Sequence, residues 1–430
     1  MSCFEGKLHE YPNISIDRFD GDNLNSTVFF LSHCHGDHMV GLDQSEFEIK
    51  LQSTFLYCHK ITSRLLKALP DYAALSDRIV EKQVNQSFQL HVPGTHDVKE
   101  YQVKVTLISA GHCPGSVMFL FEGENGVVLY TGDFRLKKGA CPNIGPFHET
   151  YSIEKEFSNV KQCPKEFVSV YVDSTFCISE VNAFTTRITC KKTIFNLVGE
   201  WLAKHKSNLV HISTKTHYGY EFLMIELSKH FQTKVHVTEK QYDSYRFVPN
   251  EIQKYLTTDG NSTCIHMCKV DTVFGNKKAL LAPKKPRLNS DVSLYCSLMD
   301  NKDSHVLTIS PTALYFIKQT KFKPIHWENE RWVRVFYSSH SSKDEVHDFL
   351  SYLRPRNIYP NVVPVNMGTL EDVRSTLRHL ECNKNDSAKG DKCQLTVNVD
   401  ELKEFIVEER KASCEDEIVS SEFFSSEDVY

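Results

Sequence analysis

No apolar run in the sequence approaches the roughly 20 residues that a bilayer-spanning helix requires, so a helical integral membrane protein is not expected. The opening residues, "MSCFEGKLHEYP", lack a basic patch followed by an apolar core, and no secretory leader is expected there. The 14 cysteines are scattered singly and do not follow the spacings of a disulfide framework. They are read as reduced thiols, a few of them available as metal ligands. No internal repeat of solenoid period is present. A basic excess is also missing, since the net charge is −5. That figure divides unevenly. Residues 381–430 carry 14 acidic and 6 basic side chains, which leaves about +3 on the first 380 residues, so a polyanionic substrate is not excluded.

What is present is an ordinary globular composition, 40% hydrophobic and 24% charged, over 430 residues. That length can bury a sizeable core and form more than one domain or lobe. The first third reads as strands and turns with a few helices. "YQVKVTLISAGHCPGS" starts as a strand of period two and ends in a polar loop, and "VMFLFEGENGVVLYTGDF" reads as two strands around an Asn-Gly turn. The middle third alternates strands ("FVSVYVD", "LVHIST", "KVHVTE") with helices ("KKTIFNLVGEWLAKH", "YEFLMIELSKHF"), which predicts an α/β lobe with a largely parallel sheet. A last strand and helix follow around "RWVRVFYSSHSSKDEVHDFLSYL". From about residue 386 apolar periodicity is lost, and an acidic, disordered tail is expected.

One stretch concentrates chemistry. "LSHCHGDHMVGL" places His33, His35, Asp37 and His38 directly after the apolar run "TVFFL". Residues two apart on an extended chain point the same way, so His33 and His35 can face one ion. Asp37 and His38 face the other side of a shared site. Imidazole nitrogen and carboxylate oxygen are ligands that zinc accepts. His112 in "SAGHCPGS" and Asp133 in "LYTGDFR" again follow apolar strands. A carboxylate so placed can bridge two ions about 4 Å apart, a spacing suited to in-line displacement at phosphorus. Surface-loop histidines with a capping aspartate are the bland alternative, which the combined pattern disfavours. Cys34 and Cys113 adjoin the candidate ligands but are read as packing residues.

The motif "HCHGDH" with His112 and Asp133 resembles the metallo-β-lactamase superfamily. That resemblance implies an αββα sandwich with a mono- or dinuclear zinc site at one sheet edge. Asp173 in "SVYVDSTFC" and His340 in "FYSSHSS" are similar to an acidic motif and a returning metal ligand of the β-CASP nuclease branch, in which an α/β lobe is inserted into the lactamase fold. RNA-cutting members carry a further histidine where "VVPVN" here has Val365, as DNA-cutting members do. "FFLSHCHGDHMVGL", "AGHCPGSVMFLFEG", "VLYTGDFRL", "HYGYEF" and "DFLSYLRPRNIYPNVVPV" follow those DNA-cutting members in order and spacing over about residues 1–370.

The implied organisation is residues 1–165 for the first part of the lactamase domain, 166–330 for the lobe with a basic insertion at about 269–290, 331–385 for the returning segment, and 386–430 for the tail. The implied first metal is held by His33, His35, His112 and Asp133, and the second by Asp37, His38, Asp133 and His340. Zinc is expected at one or both, with magnesium or manganese as alternatives at the second. The resemblance makes Asp37, Asp17, Asp173 and His340 catalytic, with Asp17 in "SIDRFD" orienting the site. On its own chemistry Asp17 reads more readily as a turn or salt-bridge residue. A bound metal acidifies water for attack at phosphorus, and no side-chain nucleophile is needed.

Lys215 and Tyr218 precede a helix expected to begin near Gly219, a setting that suits a phosphate, although a solvated lysine fits as well. Ser116, Ser341 and Ser342 are further candidate phosphate donors. The basic segment with Lys284 and Lys285 is read as a DNA-backbone contact, as a nuclear import signal ("PKKPR"), or as a solvated loop. Cys264, His266 and Cys268 alternate along one strand, and His236 lies on another. The resemblance implies a structural zinc held by His236, His266, Cys268 and Cys296, with Cys264 competing for the last place and reduced core thiols as the alternative.

The activity implied is that of a nuclear, monomeric DNA nuclease without membrane association, cleaving hairpins, overhangs and single-strand/double-strand junctions and acting as a 5′-to-3′ exonuclease. The implied setting is double-strand break repair by non-homologous end joining and V(D)J recombination. DNA-dependent protein kinase and a DNA ligase complex are the implied partners, through a regulatory tail of which only the short acidic segment is seen. An RNA-processing β-CASP enzyme and a non-cleaving metal-binding scaffold are the rival readings.

Overall fold

A computed structural model describes residues 2–150, 162–178, 180–214, 216–268, 305–319, 322–363 and 368–382. Strands β1 (Ile14–Ile16), β2 (Val28–Leu31), β3 (Leu56–His59) and β4 (Ile79–Lys82) form a parallel sheet in that order. Helices α1 (Ser45–Leu51) and α2 (Lys60–Ala68) lie between its strands in sequence. Then come β5 (Ser87–Val92), β6 (Tyr101–Ser109), β7 (Val117–Gly123) and β8 (Gly126–Tyr130), an antiparallel meander. A small pair, β9 (His148–Thr150) and β10 (Gln162–Pro164), precedes β11 (Phe167–Val172).

The lobe follows. Its elements are α3 (Arg187–Lys204), β12 (Asn208–Ile212), α4 (Glu221–His230), β13 (Val235–His236), α5 (Glu239–Asp243), β14 (Leu256–Thr257), β15 (Ile265–His266), β16 (His305–Thr312), β17 (Ile325–Asn329) and β18 (Trp332–Phe336). The chain returns through α6 (Lys343–Leu353), β19 (Asn357–Pro360) and α7 (Leu370–Leu377).

Alternation along the strands builds the layers, because successive side chains point to opposite faces. Val28 and Phe30 face the second sheet, where they meet Val105, Phe119, Phe121 and Tyr130 in a buried core between the sheets. Phe29 and Leu31 point the other way, onto Phe47 of α1 and Leu65 of α2. The second sheet runs β19-β11-β8-β7-β6-β5. Its outer face, through Met118, Leu120, Leu129 and Val170, is covered by Phe349 and Leu350 of α6 and Val373 of α7. Helix, sheet, sheet and helix therefore stack as the expected αββα sandwich. The lobe sheet, β14-β13-β15-β12-β16-β18-β17, is parallel except for the β17–β18 pair. Its core runs on without a break into the α1/α2 layer.

Two expectations shift. Strand β11 lies in the sandwich and β18 in the lobe, so the lobe's sheet opens after Val172 and closes at Phe336, displaced from residues 166 and 330. The β7–β8 register pairs Gly123 with Gly126, which puts Glu124 and Asn125 in the turn and leaves Gly126 at φ +95°, a conformation a side chain rarely adopts. The basic segment 269–290 and the tail from 386 lie outside the described residues.

Candidate metal centre

The centre forms where four strand ends meet. His33 and His35 follow β2, His112 follows β6, Asp133 follows β8, and His340 follows β18 of the lobe. The His112 loop is fixed by Ser116, whose hydroxyl accepts the N–H groups of His112 and Cys113, each at 3.1 Å. Gly115 in that loop sits against α2, and a Cβ there would come within 2.7 Å of the Thr62 nitrogen.

Hydrogen bonding sets each ring. The Tyr218 carbonyl lies 3.2 Å from His35 Nε2 and can only accept, so Nε2 carries the proton and Nδ1 a lone pair. The Ser339 carbonyl lies 2.9 Å from His112 Nδ1 and leaves Nε2 unprotonated in the same way. The Ser32 hydroxyl donates to Asp17 and therefore accepts from His33 Nδ1 at 2.9 Å, which frees His33 Nε2. These three lone pairs converge. His35 Nδ1 is 3.1 Å from His33 Nε2 and 3.0 Å from His112 Nε2. Neutral rings in these tautomers cannot hydrogen-bond one another there, so the arrangement calls for a cation between them. Burial holds all three rings below the usual imidazole range, in the neutral form that ligates a metal.

Asp133 faces both halves of the centre. Its carboxylate lies 3.7 Å from His33, 3.5 Å from His112, 3.3 Å from His38 and 4.0 Å from His340. His38 and His340 differ from the other three. Burial opposes their protonation, but the Asp133 and Asp17 carboxylates beside His38, and Asp173 and Asp133 beside His340, raise both above the ordinary value. Burial works against ionisation of Asp133 too, and His38 and His340 overcome it, so its carboxyl lies well below the usual range.

Asp17 lies behind His38. It accepts from His38 Nδ1 at 2.8 Å, from the Tyr130 hydroxyl at 2.8 Å, and from the Ser32 N–H at 2.6 Å. It has a left-handed backbone, φ +55°. Asp173 plays the matching part for His340, at 2.8 Å from Nδ1, and also accepts from Thr175. Arg135, almost fully buried, ties the His340 loop in place by donating to the Ser338 carbonyl at 2.8 Å and the Thr185 carbonyl at 3.0 Å.

Several expected side chains stand elsewhere. Asp37 is exposed at the rim, where its carboxylate accepts the Ser2 N–H at 3.3 Å, because the turn Gly36–His38 directs His38 inward and Asp37 outward. Tyr218 is 4% exposed, with its ring in the core, so its phenol packs and does not present itself to a phosphate. Ser116 is spent on the His112 loop. Ser341 bonds Leu136 and Phe134, and Ser342 caps α6 through the Glu345 N–H, so all three serines are buried structural groups. Lys215, Lys284, Lys285 and Val365 lie outside the described residues.

In the lobe, His236, His266 and Cys268 come together as ligand atoms, all buried, with His236 Nδ1 2.9 Å from His266 Nδ1. Cys264 is not among them, and Cys296 lies outside the described residues. His211, in register with His266 on the next strand, approaches the Cys268 carbonyl at 3.2 Å. Sequence reasoning missed His211, Ser32, Tyr130, Arg135 and the two orienting carbonyls. Only Ser32 and Tyr130 left a trace, as strand-end neighbours of the ligand motifs.

Residues 250–366 match the family described as DNA repair metallo-beta-lactamase. Protein artemis of Mus musculus is 38% identical over 386 residues, covering 88% of this chain and 51% of that protein. Protein artemis of Homo sapiens is 37% identical over 395 residues, covering 90% and 53%. DNA cross-link repair protein SNM1 of Arabidopsis thaliana is 26% identical over 386 residues, covering 87% and 69%. With its αββα sandwich and its histidine centre, the chain belongs to the DNA repair metallo-β-lactamases. Within that family it is of the artemis type. It spans about half the length of the artemis proteins it matches.

Proposed function

We propose that the chain is a zinc-dependent nuclease that hydrolyses phosphodiester bonds of DNA at hairpins, overhangs and single-strand/double-strand junctions, with 5′-to-3′ exonuclease activity. The observation that carries this reading is the convergence of three neutral imidazole lone pairs beside the Asp133 carboxylate. His33, His35, His112 and Asp133 would hold the first ion. His38, His340 and Asp133, with Asp37 from the rim, would hold a second, for which magnesium or manganese is an alternative. When bound, the metal acidifies water and polarises a phosphoryl oxygen. The chain's own part is orientation. Ser32 and the Tyr218 and Ser339 carbonyls aim the rings of His33, His35 and His112. Asp17 and Asp173 accept from Nδ1 of His38 and His340, which leaves Nε2 of each as the nitrogen available to a second ion once that ion displaces its proton.

The trio His236, His266 and Cys268 is proposed as a separate structural zinc site. Its buried thiol and imidazoles have no carboxylate among them. The setting proposed is nuclear double-strand break repair by end joining, and V(D)J recombination where the host has it. DNA-dependent protein kinase and a DNA ligase complex are proposed partners, and the monomer is the proposed form.

The test compares wild type, His33→Ala and Asp37→Asn on labelled hairpin DNA, 5′-overhang DNA and matched RNA, with and without chelator. DNA cleavage should depend on metal and vanish in His33→Ala. Cleavage of RNA alone would move the chain to the processing branch. A folded, zinc-loaded wild type that cuts nothing, even with the kinase added, would leave the scaffold reading.

A further inference from the structure

His35 is oriented from across the molecule. Its Nε2 partner is a backbone carbonyl of the lobe, Tyr218, 183 residues away. The position of that carbonyl depends on the short loop between β12 and α4, and the loop is held by Glu221 at the first turn of α4. Glu221 is fully buried. One carboxylate oxygen accepts the Gly219 N–H at 2.7 Å and the other accepts the Tyr245 hydroxyl at 2.8 Å. The Thr216 hydroxyl donates to the same Tyr218 carbonyl at 2.7 Å, fixing it from the other side. A buried carboxylate is costly unless each oxygen is bonded. Glu221 meets that condition with one bond to the loop and one to a tyrosine that is itself 1% exposed.

We infer that Glu221 is a positioning residue for the metal centre. Through Gly219 and the Tyr218 carbonyl it determines that His35 turns Nδ1, and not Nε2, toward His33 and His112. The lobe then does more than cover the sandwich. It sets the tautomer of a ligand rooted in the other sheet, and the centre is fully formed only when the lobe's loop is seated. This rests on the reading of the His33–His35–His112 cluster as a metal site, and the tautomer itself is measurable without metal.

The experiment uses the full chain with nitrogen-15-labelled histidine, as wild type, Glu221→Ala and Glu221→Gln, with His35→Asn to assign the His35 signals. Nitrogen-detected proton spectra of the metal-free proteins report which ring nitrogen of His35 is protonated, and zinc affinity is measured by chelator competition. Wild type should hold the proton on Nε2. Glu221→Ala should show mixed tautomers at His35 and bind zinc at the centre about 10- to 100-fold more weakly, the usual effect of losing a group that orients a ligand. Glu221→Gln, which keeps one acceptor oxygen, should fall between them, and it carries the test if the alanine variant does not fold. A folded variant with His35 still protonated on Nε2 and wild-type zinc affinity would overturn the inference. A wild type with the expected tautomer that takes up no zinc would refute the metal reading, and the tautomer comparison would still decide the role of Glu221.

Discussion

Among the described residues two buried histidine clusters stand out, and they are built differently. The sandwich centre draws its side chains from four strand ends between residues 33 and 340, and every ring is bonded on its outward nitrogen to a carbonyl, a hydroxyl or a carboxylate. His35 is partly exposed, and Asp37 stands at the rim. The lobe cluster comes from two adjacent strands and the residues just beyond them, includes a thiol, and is buried at every ligand. An open centre with one shared carboxylate suits chemistry on a substrate, whereas a closed one with sulfur suits cross-linking of the fold.

The largest effect should separate the two outright. His112→Ala should lower DNA cleavage by at least about 10³-fold with little change in the lobe's zinc content, while Cys268→Ala should lower the unfolding temperature and leave turnover of the folded fraction largely intact. Equal loss of cleavage in both variants, at equal folded fractions, would erase the contrast. Next in size is Asp17→Asn, expected to cost about 10- to 100-fold in metal affinity or rate because His38 loses its carboxylate partner. Tyr130→Phe removes one donor to Asp17 and should cost less than Asp17→Asn, measured in the same assays.

The smallest effect concerns His59, a buried histidine that belongs to neither cluster. Burial, with Lys60 and Arg64 nearby, lowers His59 to about 4, and its Nδ1 accepts the Ile61 N–H at the start of α2. The folded state therefore binds fewer protons than the unfolded one between pH 6.5 and about 4. The stability from His59 is fully present above pH 6.5 and is lost as pH falls through that window, by up to roughly 3 kcal/mol. His59→Asn keeps an acceptor at the cap without titrating. Acid unfolding of the metal-free variant should be less steep across that window, and a curve parallel to wild type would show that His59 does not couple to folding.

The sequence announced the candidate ligands more clearly than what holds them. His33, His35, His38, His112 and Asp133 follow apolar strands in a spacing with a direct stereochemical meaning, and the strand–helix alternation of the middle third predicts the parallel lobe sheet. Lobe limits were less readable, because β11 and β18 have the same apolar composition whichever sheet they join. Tyr218, Ser116, Ser341 and Ser342 looked like surface donors because a loop with a polar residue reads the same whether its hydroxyl meets solvent or a backbone N–H. Carbonyl groups, which orient His35 and His112, have no sequence signature at all.

The Ser339 carbonyl and His340 lie 227 and 228 residues beyond His112 along the chain. A polypeptide emerging from the ribosome therefore carries His33, His35, His38, His112 and Asp133 long before the group that orients His112 exists, and before β19 can join β11. Any product interrupted short of Ser339 has the ligand motif without the finished centre. On the proposed reading, the order of synthesis would keep cutting power out of fragments and confer it only on chains that have brought their last third back to their first.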